Sequence, residues 1–462
     1  MRRLHEFRGG ARRMRHDPLR RDRAQARAAS VDFRRSGAAG AGRLHVAIVA
    51  AELPALHPAG HNLVLRDYIR FFRSRGYRIS LILTTARMGG VMRRRRQLGC
   101  ELYGPGILRI GGTYVACSAA AILANLAWRA FFLLPAGAQS AAARCRDMIR
   151  RWRGIDHVLG RFLDAKAEDF VRRRLALTAP DAVFYNSIFS CVEDPRGAVP
   201  GARHYVITHD VMFERARSFR RLGYSVAPDS LDAPTEQARL EKAGNIIAIQ
   251  PEDAEAFRAL APSANVLTVL ASMVAPCRPP GRVAHPRKCL FVASGSFHNV
   301  DGIAWFLRDC WPTIVQALPD ARLQIVGSIC ARLSAVPPGV DLEGIVDDID
   351  AAYRDAALCV VPLRAGSGLK IKLVEAIAHG VPAVTTSVGA QGLAFLRPAP
   401  FRVADDAADF AHAVIDLLST ETQRHQLEAA AGQAARRFLP QAAFAELAFD
   451  LEKSFGARAA KP

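Results

Sequence analysis

Short apolar runs alternate with amphipathic segments along this chain from residue 44 onward. Apolar runs at Leu44–Ala51 and Arg78–Thr84 flank a helical pattern from about Asn62 to Ser74, and together they form a βαβ unit. Because strands and helices alternate, the sequence predicts an α/β domain with a parallel sheet. Further strands of this domain are predicted at Ala182–Asn186, His204–Thr208, Asn245–Ile249 and Asn265–Leu270.

A Pro-rich stretch at 275–286 separates this region from a second series of βα units. Two such sheets joined by a linker predict two Rossmann-like domains that face each other across a cleft, with ligands at the carboxyl ends of the strands. We place the boundaries at an Arg-rich tail (1–43), a first domain (44–274), a linker (275–286), a second domain (287–440) and a C-terminal helix and tail (441–462). The strands predicted in the second domain are Cys289–Ala293, Leu323–Val326, Val340–Leu342, Leu358–Pro362, Pro382–Thr385 and Phe401–Val403, with a helix at Ile303–Leu318 between the first two.

The segment Val360–Thr386 is the most informative for function. A strand-like run ends there in a glycine-bearing loop, which leads into a helical stretch, Leu369–His379, that stops at Gly380. Free amides and the helix dipole make such a junction a site for anions, above all for phosphate. Lys372 and Glu375 lie three residues apart on this helix, so a phosphate cradle has a carboxylate beside it. That combination suits a nucleotide, with the carboxylate at the ribose hydroxyls.

Lys370 and Lys372 differ in their direction on the predicted helix. Because residues two apart point to different sides of a helix, the pattern predicts that one lysine faces the ligand and the other faces solvent. We expect Lys372 to be the one that faces the ligand.

The positive charge of the chain is unevenly distributed. The formal net charge is +20, and residues 1–43 alone hold thirteen arginines against four acidic residues with almost no apolar periodicity, so this tail is predicted to be disordered. The second domain is close to charge-balanced. A basic first half is compatible with an anionic membrane surface, an acidic substrate or a nucleic acid, although no aromatic-interleaved RNA motif accompanies it.

Two segments of the first domain bear on membrane contact. The apolar stretch Thr113–Ala138 is interrupted by Asn125 and Arg129, which argues against a transmembrane helix and leaves a soluble or interfacial segment or membrane insertion as alternatives. Residues 141–176 read as one long amphipathic helix, whose apolar stripe either packs on the core or docks on a membrane surface. Nine scattered cysteines without a CxxC pair favour a reducing compartment, so we expect a cytoplasmic protein, in contact with the inner face of the membrane if it docks.

Six separated motifs of the second half resemble the family-4, group 1 glycosyltransferases of GT-B fold. The resemblance covers residues 285–440 in order, and a weaker likeness in the first domain includes Thr208-His209-Asp210 and Ala248–Glu252. The motifs in the second half are Phe291–Gly295, Asn299–Gly302, Gln324–Gly327, Gly344–Asp347, the segment 360–386 and Phe401–Asp405.

The resemblance implies retaining transfer of a sugar from a nucleotide-sugar donor, without a bound metal or other cofactor. In the second domain it implies that Glu375 holds the ribose hydroxyls and that Lys372 neutralises the leaving diphosphate. Contacts to the donor phosphates or sugar are expected from the loop residues Gly366, Ser367, Gly368, Leu369 and Lys370.

The resemblance also assigns roles outside that loop. Gly344 and Val346 would face the nucleobase through their main chain. His209 and Asp210 would line the opposite wall near the acceptor or the reacting centre, and Arg215 is a candidate for binding phosphate. Each has a structural alternative: a packed histidine, a helix N-cap and a solvated helix face.

The chain departs from the family pattern at two places. The first glutamate of the E-x7-E motif would fall at Ser367, and no basic pair follows the first strand of the second domain, where Gly295–Asn299 stands instead. Asp348-Ile349-Asp350 matches a metal-binding D-x-D pattern of another fold, but a helix cap explains it better, and no metal is expected.

From the sequence we therefore expect a glycosyltransferase that acts on a glycan or lipid-linked acceptor, in bacterial surface polysaccharide synthesis. A catalytically silent GT-B scaffold is one alternative, suggested by Ser367, and a nucleic-acid-binding protein is another.

Overall fold

The computed structural model describes residues 43–53, 60–134, 145, 148, 152, 154–155, 157–221, 223–275, 277, 285–366 and 368–458. The predicted Arg-rich tail, most of the predicted linker and Ser367 lie outside these residues.

The first domain is built on a seven-stranded parallel sheet. Its strands follow the order β12-β11-β9-β8-β1-β2-β4, and strand β1, between β8 and β2, is buried along its whole length. The strands of the domain are β1 (His45–Ala50), β2 (Arg78–Leu83), β3 (Met92–Arg94), β4 (Glu101–Tyr103), β5 (Ile107–Ile110), β6 (Thr113–Ala116), β7 (His157–Val158), β8 (Ala182–Asn186), β9 (Arg203–Ile207), β10 (Val226–Ala227), β11 (Gly244–Ala248) and β12 (Asn265–Thr268).

Helices cover both faces of this sheet, as they must when a parallel sheet buries two apolar faces. They are α1 (Gly60–Ser74), α2 (Arg95–Leu98), α3 (Ala119–Leu133), α4 (Ala165–Thr178), α5 (Pro195–Ala198), α6 (Met212–Arg221), α7 (Ala233–Ala243) and α8 (Pro251–Leu260).

The second domain repeats the plan with six parallel strands in the order β15-β14-β13-β16-β17-β18. Its strands are β13 (His285–Val292), β14 (Arg322–Val326), β15 (Val340–Gly344), β16 (Ala356–Val361), β17 (Ala383–Thr385) and β18 (Phe401–Val403). Its helices are α9 (Phe297–Trp305), α10 (Trp311–Ala317), α11 (Ile349–Asp355), α12 (Ile371–Ala378), α13 (Ala407–Ser419) and α14 (Glu421–Ala435). The predicted doubly wound α/β fold is confirmed in both sheets.

Each sheet reverses its winding direction once. In the second domain the chain runs from β13 outward to β14 and β15, and then returns to place β16 on the other side of β13. Loops that leave the carboxyl ends of two such strands diverge and open a crevice, which is where ligands bind in this class of sheet. The crossover between β13 and β16 is therefore the expected binding position, and the segment singled out from the sequence begins there.

One predicted helix of the second domain is interrupted. The run expected at Ile303–Leu318 begins at Phe297 and passes through a π-helical turn, Phe306–Cys310, before α10. Pro312 lies in the first turn of α10 and has no amide hydrogen to continue a regular ladder.

The predicted single helix over 141–176 is wrong. In its described part Cys145, Met148 and Trp152 are helical, but the short strand β7 follows, and the next helix starts at Ala165. The amides of His157 and Leu159 bond to the carbonyls of Ser225 and Ala227. The apolar periodicity of Leu159 and Phe162 therefore reflects packing of a non-helical segment on the core.

The apolar stretch after residue 113 forms strand β6 and helix α3. Asn125, which interrupts the stretch, is buried: its carboxamide accepts hydrogen bonds from the amides of Met88 and Gly90 and donates to the carbonyls of Ala86 and Ala121. The asparagine thus fixes α3 to the loop that follows β2. None of the helices in the described part of the chain has the length and apolarity of a transmembrane span.

The C-terminal segment returns to the first domain. Two helices end the described chain, α15 (Pro440–Ala443) and α16 (Ala445–Phe455), and the Phe444 ring between them stacks on Phe71 with centroids 4.5 Å apart. On α16, the Asp450 carboxylate accepts a hydrogen bond from the Tyr205 hydroxyl (2.6 Å) and pairs with Arg203 (3.1 Å). This segment thus completes the core of a domain that is distant from it in sequence.

Replacing Phe444 with alanine is expected to lower the free energy of unfolding by about 3–5 kcal/mol, because the ring is 2% exposed and leaves a cavity. Phe449→Ala is the matched control, since that ring lies on α16 but is 69% exposed, and it should change stability by less than about 0.5 kcal/mol. Denaturant titration of both variants measures the difference. Equal stability of the two would contradict the described docking of this segment.

Candidate active site

The loops at the β13–β16 crossover bring a lysine and an asparagine into direct contact. Lys372, in the first turn of α12, donates from Nζ to the Oδ1 of Asn299, 2.6 Å away on α9. Asn299 is buried, and its amide nitrogen donates to the Ser294 carbonyl (2.9 Å) and to the Ser296 hydroxyl (2.8 Å). The carboxamide is thereby fixed by its own loop, and it holds the ammonium group at the crevice.

Lys370 also points inward, which corrects the expectation that one of the two lysines faces solvent. It precedes α12 as its N-cap residue, outside the helical spacing, and only 7% of it is exposed. Its Nζ donates to the Gly368 carbonyl (2.5 Å) and to the Gln391 side chain (3.2 Å). The expectation assumed a helix starting at Leu369, whereas the helix starts at Ile371.

Burial lowers the pKa of both lysines. Burial, and to a lesser extent the charge of Lys370, lowers the pKa of Lys372 to about 7, while Glu375 opposes the shift. Burial also lowers the pKa of Lys370 to about 8, partly offset by Asp210. Two neighbouring cations with depressed pKa values form a site that gains from an incoming anion.

The start of α12 is open to such an anion, whereas the start of α6 is not. In the described part of the chain, the N-cap residue of α12, Lys370, makes no side-chain cap hydrogen bond. At α6, the buried Glu236 carboxylate accepts from the amides of Met212 (3.1 Å) and Phe213 (2.7 Å). Since uncapped helix amides attract anions, α12 is the better anion site of the two.

The glycine loop before α12 touches the first domain. Gly368 has a φ of +73°, and a Cβ on it would lie 3.1 Å from the Asp210 carboxylate and 3.2 Å from the His209 carbonyl. A side chain there would be strained and would press on the opposite wall. Gly366 has a φ of +117°, Leu369 is buried, and Ser367 lies outside the described residues.

The opposite wall contains the predicted His209, Asp210 and Arg215. Asp210 is buried and pairs with Arg215 at 3.0 Å, and His209 Nε2 lies 2.8 Å from the Asn186 carboxamide oxygen. That oxygen accepts, so His209 carries its proton on Nε2 in this contact. The structure brings all three residues to the wall that faces the glycine loop.

Two further polar residues of the first domain reach this boundary. The Gln250 side chain lies against Gly392, and its amide donates to Asp253 (2.5 Å), whose pKa burial raises to about 7. Among the described residues, Gln250 Oε1 and Asp253 Oδ2 are buried without a hydrogen-bond partner. These are acceptors that a ligand hydroxyl could satisfy.

His298 is a site residue to which the sequence analysis gave no role. Its Nε2 lies 3.3 Å from the Ser296 hydroxyl. Burial first, and then the charges of Lys372 and Arg215, lower its pKa to about 3, so the ring is neutral. A histidine in the loop that replaces the expected basic pair was visible in the sequence, but its neighbours belong to two domains and could not be read there.

Glu375 is oriented by a partner on α11. The Tyr353 hydroxyl donates to its carboxylate (3.2 Å), and the Tyr353 ring stacks on His379 with centroids 4.2 Å apart. His379 in turn contacts the Asp350 carboxylate at 3.0 Å. The carboxylate is half-buried on α12, one helical turn from Lys372.

Gly344 ends β15 and Val346 follows it, at the carboxyl edge of the same sheet. Gly344 has a φ of +69°, and its amide contacts the Cys330 sulfur at 3.3 Å, while Val346 is half-buried. In the D-x-D sequence, Asp348 caps α11 by accepting from the Ala351 amide (3.2 Å). Within the described residues, no group of three or more His, Cys, Asp or Glu side chains could hold a metal ion.

Comparisons with known proteins agree with this fold. The model of the family "Glycosyl transferases group 1" matches residues 286–420. The phosphatidyl-myo-inositol mannosyltransferase of Mycobacterium leprae is 29% identical over 167 residues, which are 34% of this chain and 41% of that protein. An uncharacterised 44.6 kDa protein in the cps region of Klebsiella pneumoniae is 24% identical over 130 residues, 26% of this chain and 34% of that protein. The chain thus matches only about a third to two fifths of these curated relatives.

Solved structures with similar folds cover more of the chain. Sucrose-phosphate synthase from Thermosynechococcus elongatus aligns with a TM-score of 0.60 at 15% identity, over 90% of this chain and all of that one. HepE from Anabaena in complex with UDP aligns with a TM-score of 0.56 at 13% identity, over 89% of this chain and all of that one.

Two Rossmann-like domains, with the N-terminus of α12 at the boundary between them, define a protein of the GT-B fold. Within that fold, residues 286–420 are similar to the family "Glycosyl transferases group 1".

Binding of a diphosphate at α12 should be coupled to proton uptake. An anion raises the pKa of Lys372 from about 7, so affinity is constant below that pH and falls above it, by up to about tenfold per pH unit for one proton. Calorimetry with UDP above pH 7.5, in buffers of different ionisation enthalpy, counts the protons, since the pKa of a terminal phosphate lies near about 6. Lys372→Gln should bind more weakly and with a flatter pH profile. Affinity independent of pH in the wild type would contradict the assignment.

Proposed function

We propose that the protein is a retaining glycosyltransferase that moves a sugar from a nucleotide-sugar donor to a glycan or lipid-linked acceptor. The observation that carries the proposal is the pair of inward-facing lysines at the open start of α12, beside Glu375. Retention of configuration follows from the family resemblance.

In this proposal the donor diphosphate lies on the amides at the start of α12, and Lys372 and Lys370 face its charge. That charge grows as the bond between the anomeric carbon and the phosphate oxygen breaks, so a preorganised cation stabilises the transition state more than the ground state. Asn299 contributes by keeping Lys372 Nζ in place before the substrate arrives. Arg215 is already paired with Asp210, so we assign it an indirect role.

The nucleoside lies in the proposal between Glu375 and the loop after β15. The Glu375 carboxylate, which accepts from the Tyr353 hydroxyl, also accepts from the ribose hydroxyls, and Gly344 and Val346 present main-chain groups to the base. HepE was solved with UDP, which supports a nucleoside diphosphate as the ligand class without naming the base used here.

The sugar and the acceptor lie at the boundary of the domains in this proposal. Asp210 and His209 face the glycine loop there, and Gln250 and Asp253 offer buried acceptors to sugar hydroxyls. This arrangement lets carboxylates of the first domain contact the sugar although Ser367 replaces the glutamate that the family motif would place in the loop. The cps-region relative supports a role in bacterial surface polysaccharide synthesis, and the mannosyltransferase supports a lipid-linked acceptor.

The donor can be found by thermal shift against UDP-, GDP- and dTDP-sugars. A ligand at about 100 times its Kd stabilises the folded state by about 2.7 kcal/mol, which raises the melting temperature measurably. Stabilisation by one nucleotide class, followed by sugar transfer to membrane-extracted acceptors, supports the proposal. Absence of a shift with every nucleotide sugar would favour a catalytically silent scaffold.

Glu375→Gln is expected to lower donor affinity at least about tenfold, because the charged hydrogen bond to the ribose is lost. Glu255→Gln, an exposed glutamate on α8, is the matched control and should bind as the wild type does. Tyr353→Phe should give a donor affinity between the two, because it removes one hydrogen bond that orients the carboxylate and leaves the carboxylate in place. If Glu375→Gln bound the donor as tightly as the wild type does, the assignment of this carboxylate to the donor site would be wrong.

A further inference from the structure

The chain between β2 and α3 forms a small sheet that the catalytic proposal does not use. Its three antiparallel strands follow the order β3-β6-β5. Paired residues of an antiparallel sheet lie on the same face, so the register sorts its side chains into two faces.

One face packs inward and the other is apolar and exposed. Tyr114, flanked by Arg93 and Arg109, is buried on the inner side, and its hydroxyl accepts from the Leu102 amide (3.0 Å). The opposite face contains two cross-strand rows, Met92–Val115–Leu108 and Arg94–Thr113–Ile110. We call Met92, Arg94, Leu108 and Ile110 the outer sheet face. Met92 is 64% exposed, Leu108 54% and Ile110 66%.

Exposed apolar side chains continue beyond this sheet. Asn125 fixes one side of α3 to the domain, and Leu123 and Leu126 are exposed on the helix. Met148 and Trp152, four residues apart in helical conformation, are also exposed, Trp152 at 86%. The apolar stripe predicted along 141–176 thus divides, because Leu159 and Phe162 pack against the core while Met148 and Trp152 face outward.

The charge of this region is strongly one-sided. Residues 84–134 contain seven arginines and one acidic residue, Glu101. Glu101 already lies within 3.5 Å of Arg95 and 3.2 Å of Arg78. Exposed aliphatic side chains among unbalanced arginines match the two parts of an anionic bilayer, whose interface takes up apolar side chains and whose headgroups attract cations.

We infer that the outer sheet face, together with α3, docks the protein on an anionic lipid bilayer. This inference rests on the proposed function, because a lipid-linked acceptor requires the site to reach a membrane surface. A nucleic acid would use the arginines but would leave the aliphatic side chains in water.

A contact with the second domain lies close in sequence to this surface. In β7, the His157 ring lies 5.8 Å from the Phe297 ring of the second domain. Phe297 precedes His298, a residue of the candidate active site.

Flotation with vesicles of phosphatidylcholine plus about 30% phosphatidylglycerol tests the inference on the full chain. The double variant Leu108→Ser with Ile110→Ser, and separately Arg94→Glu, should each lower the vesicle-bound fraction at least about fivefold. Leu177→Ser is the matched control, since Leu177 is 74% exposed on α4, outside this region, and should bind as the wild type does. Leu123→Ser with Leu126→Ser tests α3 independently.

Three results would overturn the inference: wild-type vesicle binding by all of the surface variants, equal binding of the wild type to pure phosphatidylcholine, or binding of a 20-nucleotide RNA without binding of vesicles. UDP binding by each variant is measured in parallel. Loss of vesicle binding with UDP binding intact supports docking, whereas a wild type that docks and binds no nucleotide refutes the proposed activity and leaves the docking surface standing.

Discussion

The contact between the Lys372 ammonium and the Asn299 carboxamide is the constraint on which the rest of the site depends. It joins the two strands at which the second sheet reverses direction, because Asn299 follows β13 and Lys372 follows β16. A buried cation is costly unless it is paired, and a neutral carboxamide pairs it only in part. The positive charge at the site is therefore only partly compensated, and an incoming diphosphate can compensate it. The lowered pKa values of Lys372 and Lys370 are consistent with this partial compensation.

The first domain contributes through close packing at the same boundary. Gly368 and Gly392 let two loops of the second domain approach the His209–Asp210 segment and Gln250, and larger residues at either position would hold these walls apart. The C-terminal helix then returns to the first domain, with Asp450 bonded to Tyr205 and Arg203. The chain therefore crosses between the domains more than once. The geometry of the crevice thus depends also on how α16 packs on the first domain.

The sequence predicted the architecture well because the buried strands of a parallel sheet appear as short apolar runs that alternate with amphipathic helical segments. Buried strands such as Ala182–Asn186 and Phe401–Val403 are short apolar runs between turn residues, and the structure has them at the predicted bounds. The segment 360–386 was correctly identified as strand, glycine loop, helix and strand. The predicted helix over 141–176 failed because periodicity cannot distinguish a helix from a loop that packs alternate side chains on a core. The pairing of β7 with β10, which interrupts the predicted helix, depends on residues distant in sequence.

Site residues whose roles depend on partners in another domain were the least predictable. His298 and Asp253 looked ordinary in the sequence, and only folding places Lys372 and Arg215 beside the first and Asp210 beside the second. The direction of Lys370 depended on a two-residue shift in the start of α12. By contrast, Lys372 and Glu375 were predictable because their spacing along one helix is local. The roles in donor binding assigned to these two residues and to the loop before α12 remain predictions.

A crystal structure with the nucleoside diphosphate that binds most tightly would test the central claim most directly. The account predicts diphosphate oxygens within hydrogen-bond distance of Lys372 Nζ and of the amides at the start of α12, with Asn299 still in contact with the lysine. A diphosphate bound elsewhere in the protein, or bound in the crevice without contact to Lys372, would contradict it.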